Sequence, residues 1–301
     1  MIQGLILHSV SYSGSWGQHA LSVEEFVDKA AELGYDGVML MAKRPHLSVL
    51  DWHTEARRRL RERLESRGLW TVCIAGYTNF TADLEHGDIP HREIQIRHVS
   101  DLAEMAHDLG GTLVRVFTGY ESQSATPHAQ WKMIVEALRE CSRRAAQFGV
   151  TIGVQNHHDL ACGFESLNDL ILDVDEANCR AMFDVWAPAL HGADLAAAAA
   201  RLAPRTVHTT VANYQIRPRY KYLPTLVNYE KQTPEIRAVP IDEGFIDYTA
   251  FLSAMEAGGY CGTVAYEMCS PLRGGGSVEN LDCYARKFLD FMRAFRKTRN
   301  I

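Results

Sequence analysis

Along the chain, short apolar runs rich in β-branched residues alternate with longer stretches in which apolar residues recur every three or four positions. The runs fall at Leu5–His8, Gly37–Met41, Thr71–Ala75, Thr112–Phe117, Thr151–Gln155, Arg180–Val185, Thr206–Val211 and Thr263–Glu267. Most are nearly continuous in apolar character, as strands covered on both faces are. The stretches between them read as amphipathic helices. Ser22 followed by Glu25 is a capping-box signature, after which Phe26, Val27, Ala30 and Leu33 share one face and Gly34 ends the helix. Trp131, Ile134, Leu138, Cys141, Ala145 and Phe148 repeat the pattern before Gly149, and Leu281, Tyr284, Phe288, Phe291 and Phe295 repeat it in the last helix. Segments such as AELGYDGVMLM and AQFGVTIGVQ share one grammar of helix, glycine and buried strand. Eight such units predict an α/β fold, a single closed (β/α)8 barrel with its active site at the C-terminal ends of the strands. The competing open, doubly wound sheet lacks a GxGxxG after its first strand. One segment breaks the rhythm: residues 213–239 hold three prolines and four tyrosines without helix or strand period. It is expected to be a long irregular loop between strands 7 and 8.

A length of 301 residues fits two domains of about 150 residues or one barrel of about 250. Eight units use it up as one, so residues 1–301 are expected to form a single domain. Asp and Glu number 37 against 31 Lys and Arg, a net charge of −6. That balance argues against nucleic acid or an anionic membrane as a partner of the surface as a whole. The run RRRLRERLESR at 57–67 interleaves arginine with glutamate and reads as a solvated helix face. The N-terminal MIQGLILHSVSYSG has no cationic segment before its apolar stretch, which is too short for a signal-peptide core, and a cytoplasmic location is expected. Seven cysteines, odd in number and without a CxxC pair, are expected to be reduced thiols. RGGGS at 273–277 could cradle a phosphate before the last helix, although a flexible turn is the simpler expectation.

Barrel enzymes build their sites from strand ends, and the last four strands end in Gln155, Asp184, His208 and Glu267. Three oxygen donors and one nitrogen donor, two of them anionic, suit a divalent cation, Mn²⁺ first, with Mg²⁺, Co²⁺ or Zn²⁺ as alternatives. On the motifs GVQNHH, AMFDVW, TVHTTV and VAYEMCSP, the chain resembles the xylose-isomerase-like TIM barrels of the sugar phosphate isomerase and epimerase superfamily. The resemblance implies that Gln155, Asp184, His208 and Glu267 stand where that family offers Glu, Asp, His and Glu to one metal. It also marks departures. Gln155 cannot accept a proton at neutral pH as the family's first carboxylate does. Ala187 and Tyr214 occupy positions at which the family's epimerases carry His and Arg, and Arg217 and Arg219 are expected to substitute for the latter.

His157 follows the glutamine at the barrel mouth and is the expected base, with Glu267 as a second proton carrier. His8, Lys43 and His158 are expected to contact substrate, and Arg44 and His46 to line the same mouth. The expected function is a divalent-metal-dependent isomerase or epimerase of a sugar or polyol-derived carbonyl compound, by metal-assisted proton abstraction. One alternative is a lyase or dehydratase that eliminates a β-substituent from an oxidised sugar or sugar conjugate, including carbon-linked glycosides, with a partner subunit. A second is a non-catalytic sugar-binding barrel. A homo-oligomer is expected, since the aromatic last helix and the tyrosine-rich 213–239 segment could pack on a neighbouring copy.

Overall fold

The computed structural model describes residues 2–297. Its strands are β1 (Gly4–His8), β2 (Gly37–Met41), β3 (Thr71–Ala75), β4 (Leu113–Val116), β5 (Thr151–Gln155), β6 (Cys179–Met182), β7 (His208–Val211), β8 (Asn213–Leu223), β9 (Asn228–Val239) and β10 (Thr263–Tyr266). All but β8 and β9 are parallel members of one sheet, ordered β6–β5–β4–β3–β2–β1–β10–β7. The two ends of that list meet through an isolated bridge, Ala181 with Thr206, and one backbone hydrogen bond from Val207 N to Ala181 O at 3.0 Å. The sheet is thus a nearly closed barrel with one thin seam, between β6 and β7.

Helices α1 (Val23–Leu33), α2 (Thr54–Ser66), α3 (His91–Asp108), α4 (Pro127–Ala146), α5 (Phe164–Val174), α6 (Trp186–Leu190), α7 (Leu195–Leu202), α8 (Tyr248–Ala257) and α9 (Val278–Lys297) surround it. The capping box forms: Ser22 Oγ accepts from Glu25 N, and the Glu25 carboxylate accepts from Ser22 N. Gly34 closes α1 at φ 91°, a left-handed conformation that favours glycine.

The continuous apolar strand runs follow from two cores. Ile6, Met39, Cys73, Ala75, Met182 and Ala265, with Leu113 against them, fill the barrel interior. Their alternates, among them Leu5, Leu7, Val38, Leu40, Val114, Ile152 and Val264, lie beneath the helices. Each such fully buried side chain contributes ~1.5–3 kcal/mol. Gly153 makes interior room for β6, since a Cβ there would stand 2.5 Å from Met182 Sδ.

Residues 213–239 correct the sequence expectation of an irregular loop. They form an antiparallel hairpin, β8 on β9, paired from Asn213 with Val239 to Leu223 with Asn228 with one register shift between Arg217 and Arg219. Most of its side chains are exposed. The RGGGS segment is a structural turn: Asn280 Nδ2 donates to Arg273 O and Gly275 O, and Arg273 pairs with Glu243. All seven cysteines are free. Among the described residues, no helix is long and apolar enough to cross a membrane.

Candidate active site

Strand alternation decides which side chains reach the barrel mouth. Two residues beyond interior Leu113 stands Arg115, beyond Gly153 stands Gln155, beyond Met182 stands Asp184, and beyond Ala265 stands Glu267. All four are buried. Gln155 joins two of the others. Its Oε1 accepts from Arg115 Nη1 at 3.1 Å, while its Nε2 donates to Asp184 Oδ2 and Thr210 Oγ1, both at 2.9 Å. Asp184 also accepts from Thr210 Oγ1 at 3.2 Å and from Trp186 N at 2.8 Å. Asn156 braces this strand end, accepting from Asp184 N and donating to Asp184 O.

Above this network opens a cavity of about 420 Å³, lined among others by His8, Lys43, Tyr77, Arg115, His157 and Glu267. His158, Tyr120 and Cys269 complete part of its wall. Burial, followed by the nearby Asp184 charge, pushes the Glu267 carboxyl up to about 7, against the pull of Arg115. Burial raises Asp184 as well. Glu267 Oε1 accepts from Cys269 Sγ at 3.4 Å, and its Oε2 lies 3.9 Å from His8 Nε2. His8, His157 and His208 are all held below the usual histidine range, in each case chiefly by burial, and are neutral at pH 7. His157 Nδ1 lies 3.0 Å from His158 Nδ1, and both rings pack against Phe117.

Two cations converge on one aromatic ring. Lys43 Nζ lies 4.1 Å from the Tyr77 centroid and Arg115 Cζ 4.7 Å from it, with Arg115 also 4.1 Å from the Phe117 ring. Partial burial and then the Arg115 charge lower the Lys43 pKa.

Of the residues expected from the sequence, Gln155, Asp184 and Glu267 stand at the mouth, and His8, Lys43, His157 and His158 line the cavity. His208 does not join them. It pairs with Thr263, four residues short of Glu267, and its Nδ1 lies 2.5 Å from Thr263 Oγ1. The residue of β7 that reaches Asp184 and Gln155 is Thr210. Arg217 and Arg219 are exposed on the hairpin, Arg217 pairing with Glu235 at 3.7 Å, and neither lines the cavity. Arg44 pairs with Asp51, and His46 is buried against Ser9 Oγ and Leu21 O. Sequence reasoning missed Arg115, Tyr77 and Thr210. The signal for Arg115 is a single charge inside the apolar strand run TLVRVF.

Comparison with known proteins fits this architecture. The description "xylose isomerase-like TIM barrel" belongs to a family model that matches residues 27–295. The chain belongs to this family. Fructoselysine 3-epimerase of Escherichia coli O157:H7 is 20% identical over 180 residues, 57% of this chain and 64% of the epimerase, so the match spans less than two thirds of that relative. Among solved structures, the IOLI protein with a binding zinc atom has TM-score 0.75 and 17% identity, covering 97% of this chain and 99% of its own. The probable 3-DHS dehydratase AsbF from Bacillus anthracis has TM-score 0.70 and 18% identity, covering 96% and 99%.

The zinc atom of the IOLI structure poses the question of fit. Here the side chains at the mouth do not suit a divalent ion. Gln155 brings no charge, its oxygen is taken by Arg115, and its NH₂ faces the carboxylate of Asp184. Thr210, not a histidine, stands on β7, and His208 Nε2 lies deeper, buried without a hydrogen-bond partner. Among the described residues, no three His, Cys, Asp or Glu side chains converge as metal ligands do. The four-ligand set expected from the sequence is therefore not assembled, and Gln155 is instead held between the Arg115 guanidinium and the Asp184 carboxylate.

Proposed function

We propose that this xylose isomerase-like barrel is an isomerase or epimerase of a sugar- or polyol-derived carbonyl compound, with Glu267 as its proton-transfer group. The carrying observation is Glu267 itself: a buried carboxyl on the cavity wall whose pKa, near neutrality, suits a general base. Its carboxylate removes the proton α to the carbonyl, and the C–H electrons move onto the carbonyl oxygen to give an enediolate. The positive charges of Arg115 and Lys43, on the same wall, favour the negative charge that develops. Return of a proton to the neighbouring carbon gives the isomer, and return to the opposite face gives the epimer. Gln155 cannot deliver that second proton, and neutral His157, on the same cavity, is placed to relay it, one ring nitrogen giving up its N–H proton as the other takes a proton up from solvent.

A second outcome shares the first step. With one carboxylate rather than two available for proton transfer, the enediolate can instead expel a β-substituent, which makes the protein a dehydratase or lyase. One experiment separates the two. In D₂O, an isomerase introduces deuterium α to the carbonyl with the substituent retained, whereas a lyase releases it and yields an unsaturated ketone. Glu267→Gln is expected to lower either rate by about 10²–10⁴-fold. Unchanged exchange in that variant would remove Glu267 from the mechanism.

A further inference from the structure

Arg115 is only 3% exposed, yet forms no ion pair among the described residues. Buried arginines are ordinarily paired, because an uncompensated charge in a protein interior costs free energy. Its hydrogen bonds go to two neutral oxygens, Gln155 Oε1 and Gly76 O, each at 3.1 Å, and its Nε–H has no acceptor. Gln155 is what keeps it unpaired. The amide accepts from the guanidinium on one side and donates to Asp184 on the other, so cation and carboxylate are linked without touching. A glutamate at this position would close on Arg115 and neutralise it.

Lys43 repeats the condition at the rim of the same cavity. It forms no ion pair among the described residues and rests its ammonium on the Tyr77 ring that Arg115 also approaches. One cavity thus holds two cations with spare donors, while its one lining carboxylate, Glu267, contacts a thiol and a neutral histidine rather than either of them.

We propose that this cavity is a built-in anion site: Arg115 and Lys43 hold the carboxylate or phosphate of an acidic sugar derivative, and binding requires no divalent metal. The inference rests on the reading of the cavity as a sugar-processing site and names its substrate class. Carboxylate and phosphate share the chemistry that Arg115 and Lys43 recognise, and the probes below distinguish them.

The test is calorimetric binding to the full-length protein after EDTA treatment and dialysis, with D-glucuronate, D-fructose 6-phosphate and neutral D-fructose as probes. At least one acidic probe is expected to bind about tenfold or more tighter than D-fructose, with an affinity that falls as salt rises and ignores added MnCl₂. The tighter acidic probe identifies the anion. Lys43→Met, at an exposed position that leaves the core untouched, is expected to weaken it about tenfold, and Gln155→Glu to abolish it by capturing Arg115. The proposal is overturned if no acidic probe binds, if D-fructose binds as tightly, if binding requires MnCl₂, or if Lys43→Met leaves the affinity unchanged. Deuterium exchange on the same probes keeps the two readings apart. Binding of an acidic sugar as expected, with no exchange on any probe, supports the anion site and defeats the isomerase, whereas exchange on D-fructose with no acidic probe bound does the reverse.

Discussion

Glu267 carries the sharpest consequence at the scale of a single residue. Its carboxyl, ordinarily near 4.5, is pushed up to about 7 by burial and by Asp184. The folded protein therefore holds this proton more tightly than the unfolded chain does. The corresponding stability is fully present below pH 4.5, the unfolded value, and is lost as pH rises towards 7. Thermal melting across that window should show the wild type falling relative to Glu267→Gln, which has no proton to lose. Parallel curves would mean that the carboxyl titrates normally. Catalysis runs the other way: it needs the carboxylate, so kcat/KM should climb as pH rises through about 7. Position along a strand was legible in the sequence for Gln155, Asp184 and Glu267, because each follows a buried run that has to end at the mouth. Depth on β7 was not. HTTV is equally compatible with either pleat, and only the neighbouring strands fix Thr210 rather than His208 as the contact of Asp184.

Elements were legible where one face meets the core. α1 announces itself through its cap, its apolar stripe and its terminal glycine, and the barrel strands through their unbroken apolar runs. The hairpin β8–β9 gives no such signal, since residues exposed on both faces show neither alternation nor a helical stripe. Pro218 lies at a register shift between Arg217 and Arg219, and Pro224 starts the connecting turn, so the prolines that argued against a strand occupy the places where a ribbon tolerates them. The ribbon is anchored at its base. Asn213 Nδ2 donates to Ile241 O and Ile246 O, and Tyr214 stacks on Trp186 at 4.7 Å. Replacing residues 218–231 with a short glycine–asparagine turn should therefore shift Tm by only about 2 °C, because almost no buried surface is removed. A loss several times larger would show that the distal ribbon supports the barrel.

Seen as a whole molecule, the barrel is fastened unevenly. Neighbouring strands elsewhere share three or more paired positions, but β6 and β7 share one bridge. Towards the mouth, side chains take over from the backbone ladder. Thr209 Oγ1 donates to Phe183 O at 2.6 Å, and Thr210 Oγ1 to Asp184 Oδ2 at 3.2 Å. The group that closes the barrel there is thus the same carboxylate that anchors the site. A gap held by two hydroxyls opens at lower free energy than a full ladder, so this line should be where the native state breathes first. Amide hydrogen exchange should find Val207 less protected than the amides between β2 and β3, and equal protection would contradict it. A ligand that settles the Gln155–Asp184–Thr210 network would then slow exchange at Val207, at the base of the seam and outside the cavity wall, so that occupancy of the pocket is read out as the tightness of the barrel itself.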